Sequence, residues 1–125
     1  MPEKYKHDTY PVMSFKTNKS FETWLEKNYA KSDGIWLKIA KKASGIKSVT
    51  QPEALDVVLC YGWIDGLRRG LDEDHFVQKY TPRRVNSNWS EINKNNVAEL
   101  IKEGRMRDGG LAAIETAKNN GRWGK

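Results

Sequence analysis

Apolar side chains recur at helical spacing in four stretches of the chain, and each stretch predicts a helix. The first follows a cap at Asn18 or Ser20, and its apolar face is made of Phe21, Trp24, Leu25 and Tyr29. The second starts at Thr50, because Thr50 and Glu53 have the spacing of a capping box, and Gly62 ends it.

The other two predicted helices lie in the C-terminal part of the chain. The third begins at a cap provided by Ser87 or Ser90 and ends near Gly104. Its predicted apolar positions are Trp89, Ile92, Val97, Leu100 and Ile101. The fourth runs from about Leu111 to Asn120 and is followed by Gly121.

Short runs of β-branched and aromatic residues predict four strands, over residues 12–15, 34–42, 63–69 and 76–81. The last two flank an acidic turn and predict an antiparallel hairpin that Pro82 ends. The order is then β-α-β-α-β-β-α-α, without regular βαβ alternation. We therefore expect an α+β fold, with a small mixed, mainly antiparallel sheet packed against about four helices. We expect one domain over residues 1–125, with residues 1–11 flexible.

Composition excludes several classes of protein. The five Trp, five Tyr and three Phe residues argue against a disordered chain, because they bury large areas. No apolar run approaches the roughly 20 residues that span a bilayer, and the first 15 residues lack the apolar core of a signal peptide. Cys60 is the only cysteine, so no internal disulfide forms. These features predict a cytoplasmic protein.

The net charge of +6 is unevenly distributed. Residues 1–50 and 83–125 are net basic, whereas residues 51–82 are net acidic. Such a charge attracts anions in general, including nucleic acid. Dedicated nucleic-acid binders concentrate their basic residues more strongly, so a lysine-rich solvated surface is the favoured interpretation and weak nucleic-acid binding the alternative.

Two arginines before a capped helix are the clearest candidate for chemistry. Arg83 and Arg84 precede the predicted start of the third helix, where forked guanidinium donors and free backbone N–H groups together suit an anion. Asp65 would orient an arginine, and two tryptophans would form aromatic walls. The candidate ligand-binding residues are Lys41, Lys42, Trp63, Asp65, Arg83, Arg84, Ser87, Trp89, Ser90 and Asn93. The expected ligand is a carboxylate or a phosphate.

Each of these features also has a structural interpretation. Asp65 would pair with Arg83 or Arg84 to join the hairpin to the third helix, and the tryptophans would fill the core. Cys60 is more typical of a small buried apolar residue than of a nucleophile. The acidic turn at residues 72–75 is more typical of a solvated loop than of a metal site. With no recognisable catalytic motif, we predict no catalytic residue, no cofactor and no metal.

Several short sequence motifs, many of them containing Trp or Arg, follow one another in a characteristic order from about residue 14 onwards. They are Trp24-Leu25, Lys41-Lys42, Trp63-Ile64-Asp65-Gly66, Thr81-Pro82-Arg83-Arg84, Ser87-Asn88-Trp89-Ser90, Asn93, Gly104-Arg105-Met106 and Gly121-Arg122-Trp123. In the order and spacing of these motifs the chain resembles the YdeI/OmpD-associated family, which is also labelled bacteriocin-protection. The resemblance implies a bacterial protein of envelope stress or antimicrobial-peptide tolerance with an indirect porin link. It also implies a further C-terminal helical segment that this chain lacks, and it implies no catalytic residues.

Three functions remain open at this point. The first is a non-enzymatic tolerance factor that binds a protein partner or a small anionic ligand. The second is a small-ligand domain or an uncharacterised enzyme that uses an Asp/Arg/Lys anion pocket. The third is weak nucleic-acid binding, which the acidic middle of the chain disfavours. We expect no membrane insertion, and the oligomeric state stays open.

Overall fold

The computed structural model describes residues 10–124. Its strands are β1 (Val12–Ser14), β2 (Ile35–Ala40), β3 (Trp63–Gly70) and β4 (His75–Pro82). Its helices are α1 (Asn18–Asn28), α2 (Gln51–Cys60), α3 (Glu91–Lys102) and α4 (Asp108–Asn119), with a short 3₁₀ turn over Lys42–Ser44. The predicted α+β class and the order β-α-β-α-β-β-α-α are confirmed. The flexibility expected for residues 1–11 falls largely on residues 1–9, which lie outside the described residues.

The four strands form one mixed sheet in the order β1-β2-β4-β3. β1 runs parallel to β2, whereas β4 is antiparallel to both β2 and β3. In the β2–β4 register, Ile35 lies opposite Tyr80 at one end and Ala40 lies opposite His75 at the other. This register decides which loops share an end of the sheet.

A bulge interrupts the β3–β4 hairpin between Asp65 and Arg68. The buried side chain of Gln78 compensates for the lost ladder bonds, because its Nε2 donates to the carbonyl oxygens of Gly66 and Leu67 at 2.6 and 3.2 Å. Gln51 Nε2 in turn donates to Gln78 Oε1. The bulge is therefore a satisfied feature of the hairpin.

The core lies between the sheet and the helices, with α2 at its centre. Alternate residues of β2 point inward and meet apolar side chains of α1 and α2. The largest fully buried side chains are Trp63, Tyr80, Phe21, Leu25, Ile35, Leu37, Ile39 and Leu59. The end of α2 meets the start of α4 so closely that a Cβ on Gly62 would lie 2.6 Å from the carbonyl oxygen of Gly109.

The helix starts match the sequence predictions only in part. Thr50 and Glu53 form the capping box, and Ser90 caps α3 by accepting a hydrogen bond from the backbone N–H of Asn93. The cap of α1 is Thr17, not Asn18 or Ser20, because its Oγ1 accepts from the N–H of Ser20. α4 begins at Asp108, before the expected Leu111, because glycines allow its first turn to pack against α2.

Two predicted core positions of α3 are wrong. Ile92 is 71% exposed and Ile101 is 51% exposed. The inward stripe instead follows Asn93, Val97 and Leu100, which lie at i, i+4 and i+7. Ile92 and Ile101 each stand one residue outside this stripe, and one residue is a rotation of about 100° around a helix.

Candidate functional site

The segment from Arg83 to Ser90 connects β4 to α3 and holds Arg83 in a fixed position. The backbone N–H of Arg83 donates to the carbonyl oxygen of Gly62 at 2.9 Å. Its Nη1 donates to Ser87 Oγ at 3.0 Å and to the carbonyl oxygen of Asn88 at 3.2 Å. The guanidinium carbon lies 3.7 Å from the centre of the Trp89 ring. Arg83 is thus held at its backbone by Gly62 and at its guanidinium group by Ser87, Asn88 and Trp89.

The other edge of the Arg83 guanidinium group meets no acceptor from the described residues. Nε and Nη2 are buried and have no hydrogen-bond partner among residues 10–124, and the same is true of Trp89 Nε1. Burial lowers the pKa of Arg83 to about 10, and the negative charge of Asp65 opposes that shift in part. Three buried N–H donors without acceptors thus belong to two stacked side chains.

A narrow cavity of about 90 Å³ lies beside these donors. It is lined by Arg83, Arg84, Val85, Trp89, Ala113, Thr116 and Ala117. The loop contributes the first four of these residues and α4 contributes the other three. The two elements are joined at the same place, because Asn120 Nδ2 donates to the carbonyl oxygen of Val85 at 2.9 Å.

The C-terminal tail supports Trp89 from behind. Trp123 packs against Trp89 with ring centres 5.0 Å apart, and the backbone N–H of Trp89 donates to the carbonyl oxygen of Arg122. Lys94 Nζ donates to the carbonyl oxygen of Trp123 at 3.1 Å and pairs with Glu91. The tail therefore docks on α3 and Trp89 rather than on the sheet.

Asp65 lies near the arginine without contacting it. Among the described residues, no carboxylate forms an ion pair with Arg83 or Arg84. Asp65 is half-buried opposite Tyr80 in the β3–β4 register. Burial is the larger cause and the charge of Asp65 the smaller cause of the raised pKa of Tyr80. Asp65 thus acts on Arg83 only through the field of its charge.

Other candidate residues have structural contacts. Trp63 is buried in the core, where its Nε1 donates to the carbonyl oxygen of Tyr29 at 3.2 Å, so it is not a wall of the cavity. Ser87 holds Arg83. Ser90 and Asn93 form the α3 cap, with the Ser90 hydroxyl accepting from the Asn93 backbone.

The two lysines lie at the far end of the sheet. Lys41 and Lys42 follow Ala40, which pairs with His75, whereas Arg83 follows Tyr80, which pairs with Ile35. At about 3.3 Å per residue, the five-residue separation along β2 is roughly 17 Å. Lys41 Nζ instead donates to the carbonyl oxygen of Asp72 at 3.2 Å. The strands therefore do not bring the lysine pair to the arginines.

No pattern in the sequence indicated that α4 would form a wall of the cavity. Ala113, Thr116 and Ala117 lie at helical spacing, but small residues at such spacing mark any packed helix face. Among residues 10–124, no group of three His, Cys, Asp or Glu side chains could hold a metal ion. None of the helices in this part of the chain has the length and apolar character required to cross a membrane.

A comparison with known protein families identifies the family to which this chain belongs. Residues 13–113 match the family described as Domain of unknown function (DUF8412). The chain belongs to this family. The predicted resemblance to the YdeI/OmpD-associated family is wrong, because the matching family is DUF8412, and the expectations of tolerance and of a porin link lose the basis on which they stood. No curated protein and no solved structure matches the chain.

The DUF8412 match places the site partly inside the matched region. Arg83, Arg84, Val85, Trp89 and Ala113 lie within residues 13–113. Thr116, Ala117 and Trp123 lie beyond residue 113. The donors of the cavity therefore belong to the DUF8412 region, and part of its wall is contributed by the chain that follows.

Proposed function

We propose that this DUF8412 domain binds a small oxyanion, a carboxylate or a phosphate, in the cavity between the Arg83–Ser90 segment and α4. One observation carries the proposal: Arg83 Nε, Arg83 Nη2 and Trp89 Nε1 are buried beside a cavity of about 90 Å³ and find no acceptor in the described range 10–124. Native proteins leave few buried polar groups unpaired, because each costs about 1–3 kcal/mol. An oxyanion supplies the missing acceptors.

The geometry of arginine favours an oxyanion over a neutral ligand. Nε and Nη2 share one edge of the guanidinium plane, and their two parallel N–H groups match the two oxygens of a carboxylate or phosphate. Nη1 already donates to Ser87 and Asn88, whereas the Nε–Nη2 edge makes no hydrogen bond to any of residues 10–124. The third donor, Trp89 Nε1, belongs to the ring stacked on the guanidinium group. An anion would also compensate the positive charge of Arg83, whose burial lowers the pKa of this side chain.

The charge around the site supports the same ligand. Residues 83–125 carry nine basic and five acidic side chains, and Arg84 adds an exposed positive charge to the cavity lining. The groups that border the cavity are mainly donors, which suit the binding of an anion more than proton abstraction from a substrate. We therefore propose a binding function rather than a catalytic one.

A thermal-unfolding series with sodium phosphate and sodium acetate, at ionic strength held constant with chloride, tests the proposal. A ligand at ten times its Kd adds ~1.4 kcal/mol to the free energy of unfolding, which raises Tm by about 4 °C in a domain of this size. We expect that rise in the natural protein and its loss in Arg83→Met. Arg83→Lys keeps the charge but not the paired donors, so we expect weakened binding in a folded protein.

Lys42→Met is the matched control. It removes the same charge from the far end of the sheet and should leave the phosphate-induced rise unchanged. A rise lost equally in Arg83→Met and Lys42→Met would show that net charge alone attracts the anion. The absence of a rise with phosphate and with acetate in the natural protein would overturn the proposal.

We also infer that the protein acts in the reducing cytoplasm. The support is its single cysteine, Cys60, which is buried as a free thiol in the core. Burial raises the pKa of this thiol to about 11, so it stays protonated and chemically inert at neutral pH. Fractionation of cells that produce the native chain tests the location.

A further inference from the structure

A second and wider cavity adjoins the narrow one through Arg84. It has a volume of about 380 Å³ and is lined by Ile64, Thr81, Pro82, Arg84, Asn86 and Ser87. Arg84 lines both cavities. Of its neighbours in the chain, Arg83 and Val85 line the narrow cavity, whereas Pro82 and Asn86 line the wide one. The two spaces are therefore neighbouring parts of one surface region.

The chemistry of the wide cavity differs from that of the narrow one. Beyond Arg84, its polar side chains are uncharged, namely the hydroxyls of Thr81 and Ser87 and the exposed amide of Asn86. Its apolar surface comes from Ile64 and Pro82. A mixture of apolar surface with a few hydrogen-bonding groups is typical of sites for the neutral part of a small organic molecule.

Ser87 connects the two spaces directly. Its Oγ accepts a hydrogen bond from Arg83 Nη1 at 3.0 Å, and within residues 10–124 its own O–H group donates to no acceptor. The hydroxyl group therefore keeps a donor for a ligand in the wide cavity while it orients the guanidinium group of the narrow one. A ligand that occupies both spaces would contact Arg83 in the narrow cavity and Ser87 in the wide one, and a hydrogen bond joins these two residues.

We infer that the ligand is an organic anion in two parts: a carboxylate or phosphate group in the narrow cavity and a neutral, hydrogen-bonding body in the wide one. This inference rests on the proposed oxyanion function. The narrow cavity is too small for more than the anionic group itself, and the wide one offers a body of sugar or amino-acid size a place beside it. Asn86, Ser87 and Thr81 distinguish such a ligand from an inorganic anion.

Paired probes test this inference by isothermal titration calorimetry. The pairs are inorganic phosphate with ribose 5-phosphate, and acetate with N-acetylglycine. In each pair the anionic group is of the same kind and only the second member has a body. We expect the larger member of at least one pair to bind about tenfold more tightly, a gain of ~1.4 kcal/mol. The pair that shows the gain identifies the anionic group.

Two variants locate the gain in the wide cavity. Asn86→Ala and the near-isosteric Thr81→Val should reduce the tenfold gain while they leave the affinity for the small member unchanged. Asn95→Ala, on the exposed surface of α3, is the matched control and should change neither.

The outcomes separate the two proposals. Equal affinity for both members of each pair, with binding that still requires Arg83, would overturn the two-part ligand and leave the oxyanion site in place. A gain that persists in both Asn86→Ala and Thr81→Val would also contradict it. Absence of binding by all four probes would overturn the oxyanion site itself.

Discussion

The guanidinium carbon of Arg83 lies 3.7 Å from the centre of the Trp89 ring, and the two side chains together carry three buried donor atoms that have no acceptor in the part of the chain that the structure describes. A desolvated stack of this kind contributes about 2 kcal/mol. It fixes the Nε–Nη2 edge of the arginine in advance, so the proposed site would lose little side-chain entropy on binding an anion. Because Trp89 both stacks on Arg83 and lines the cavity, substitutions at this position can distinguish an effect on stability from an effect on binding.

Replacing Trp89 by Phe should weaken oxyanion binding more than it weakens the fold. Phenylalanine keeps a ring against the guanidinium group but removes the Nε1 donor. A hydrogen bond to a charged group contributes about 1.5–3 kcal/mol, so the Kd for phosphate should rise by at least about tenfold. Calorimetric titration measures the affinity, and urea denaturation monitors stability. An unchanged Kd would exclude Trp89 Nε1 as a ligand donor.

Gln78→Leu should destabilise the protein by about 2–3 kcal/mol, because it leaves the Gly66 and Leu67 carbonyl oxygens at the bulge without their donor. Urea denaturation followed by tryptophan fluorescence gives the free energy of unfolding. Gln51→Leu removes a longer hydrogen bond of 3.4 Å to Gln78 Oε1 and an exposed one from Arg68, and it should cost less than about 1 kcal/mol. Equal costs for the two variants would contradict the role assigned to Gln78.

Gly62→Ala should be much more harmful than Gly104→Ala. Both glycines have positive φ, 81° and 72°, so both substitutions carry the same backbone strain of about 1–2 kcal/mol. A Cβ at position 62 would also lie 2.6 Å from the carbonyl oxygen of Gly109, whereas a Cβ at position 104 would have no described atom within 4 Å. The difference in unfolding free energy between the two variants measures the close approach of α2 to α4. A difference near zero would mean that the two helices separate at little cost.

Stability should fall as the pH rises above 10. Burial and the hydrogen bond to Glu26 raise the pKa of Tyr61 to about 12, and burial followed by the charge of Asp65 raises the pKa of Tyr80. The unfolded chain loses these protons near pH 10, before the folded protein does, so alkaline conditions favour unfolding. Urea denaturation at pH 9 and pH 11 measures the loss, and absorbance at alkaline pH follows the tyrosinate.

Tyr80→Phe should reduce this pH dependence without harming the protein at neutral pH. The Tyr80 hydroxyl is buried and has no partner among residues 10–124, so its removal costs no hydrogen bond and relieves desolvation of about 1 kcal/mol. Tyr61→Phe, which removes a bonded hydroxyl, should lower stability at pH 7 instead. A strongly destabilised Tyr80→Phe protein would show that this hydroxyl has a partner, such as a water molecule.

The order of elements could be predicted from the sequence because it depends on local patterns. The capping box at Thr50 and Glu53 and the hairpin on either side of the acidic turn are both contained within short stretches. Arg83 and Trp89 could both be assigned to the candidate site for the same reason, since only five residues lie between them.

The remainder of the site depends on contacts between distant parts of the chain. Whether Lys41 lies near Arg83 is decided by the antiparallel register of β2 and β4, which places them at opposite ends of the sheet. Thr116 and Ala117 line the cavity only because glycines at the start of α4 let it approach α2. No local pattern encodes either relationship. Asp65 shows the same limit: its charge reaches Arg83, but the bulge and the register decide that it forms no ion pair.

The docking of Trp123 has a consequence for biosynthesis. Trp89 is held by the carbonyl oxygen of Arg122 and the ring of Trp123, more than thirty residues later in the chain. A nascent polypeptide that has emerged only as far as α3 has the arginine but neither the α4 wall nor this support. Under the proposed function, an oxyanion would therefore bind only after α4 has folded. An affinity column bearing phosphate would then retain chains that include Trp123 and let ribosome-stalled fragments that end at α3 pass.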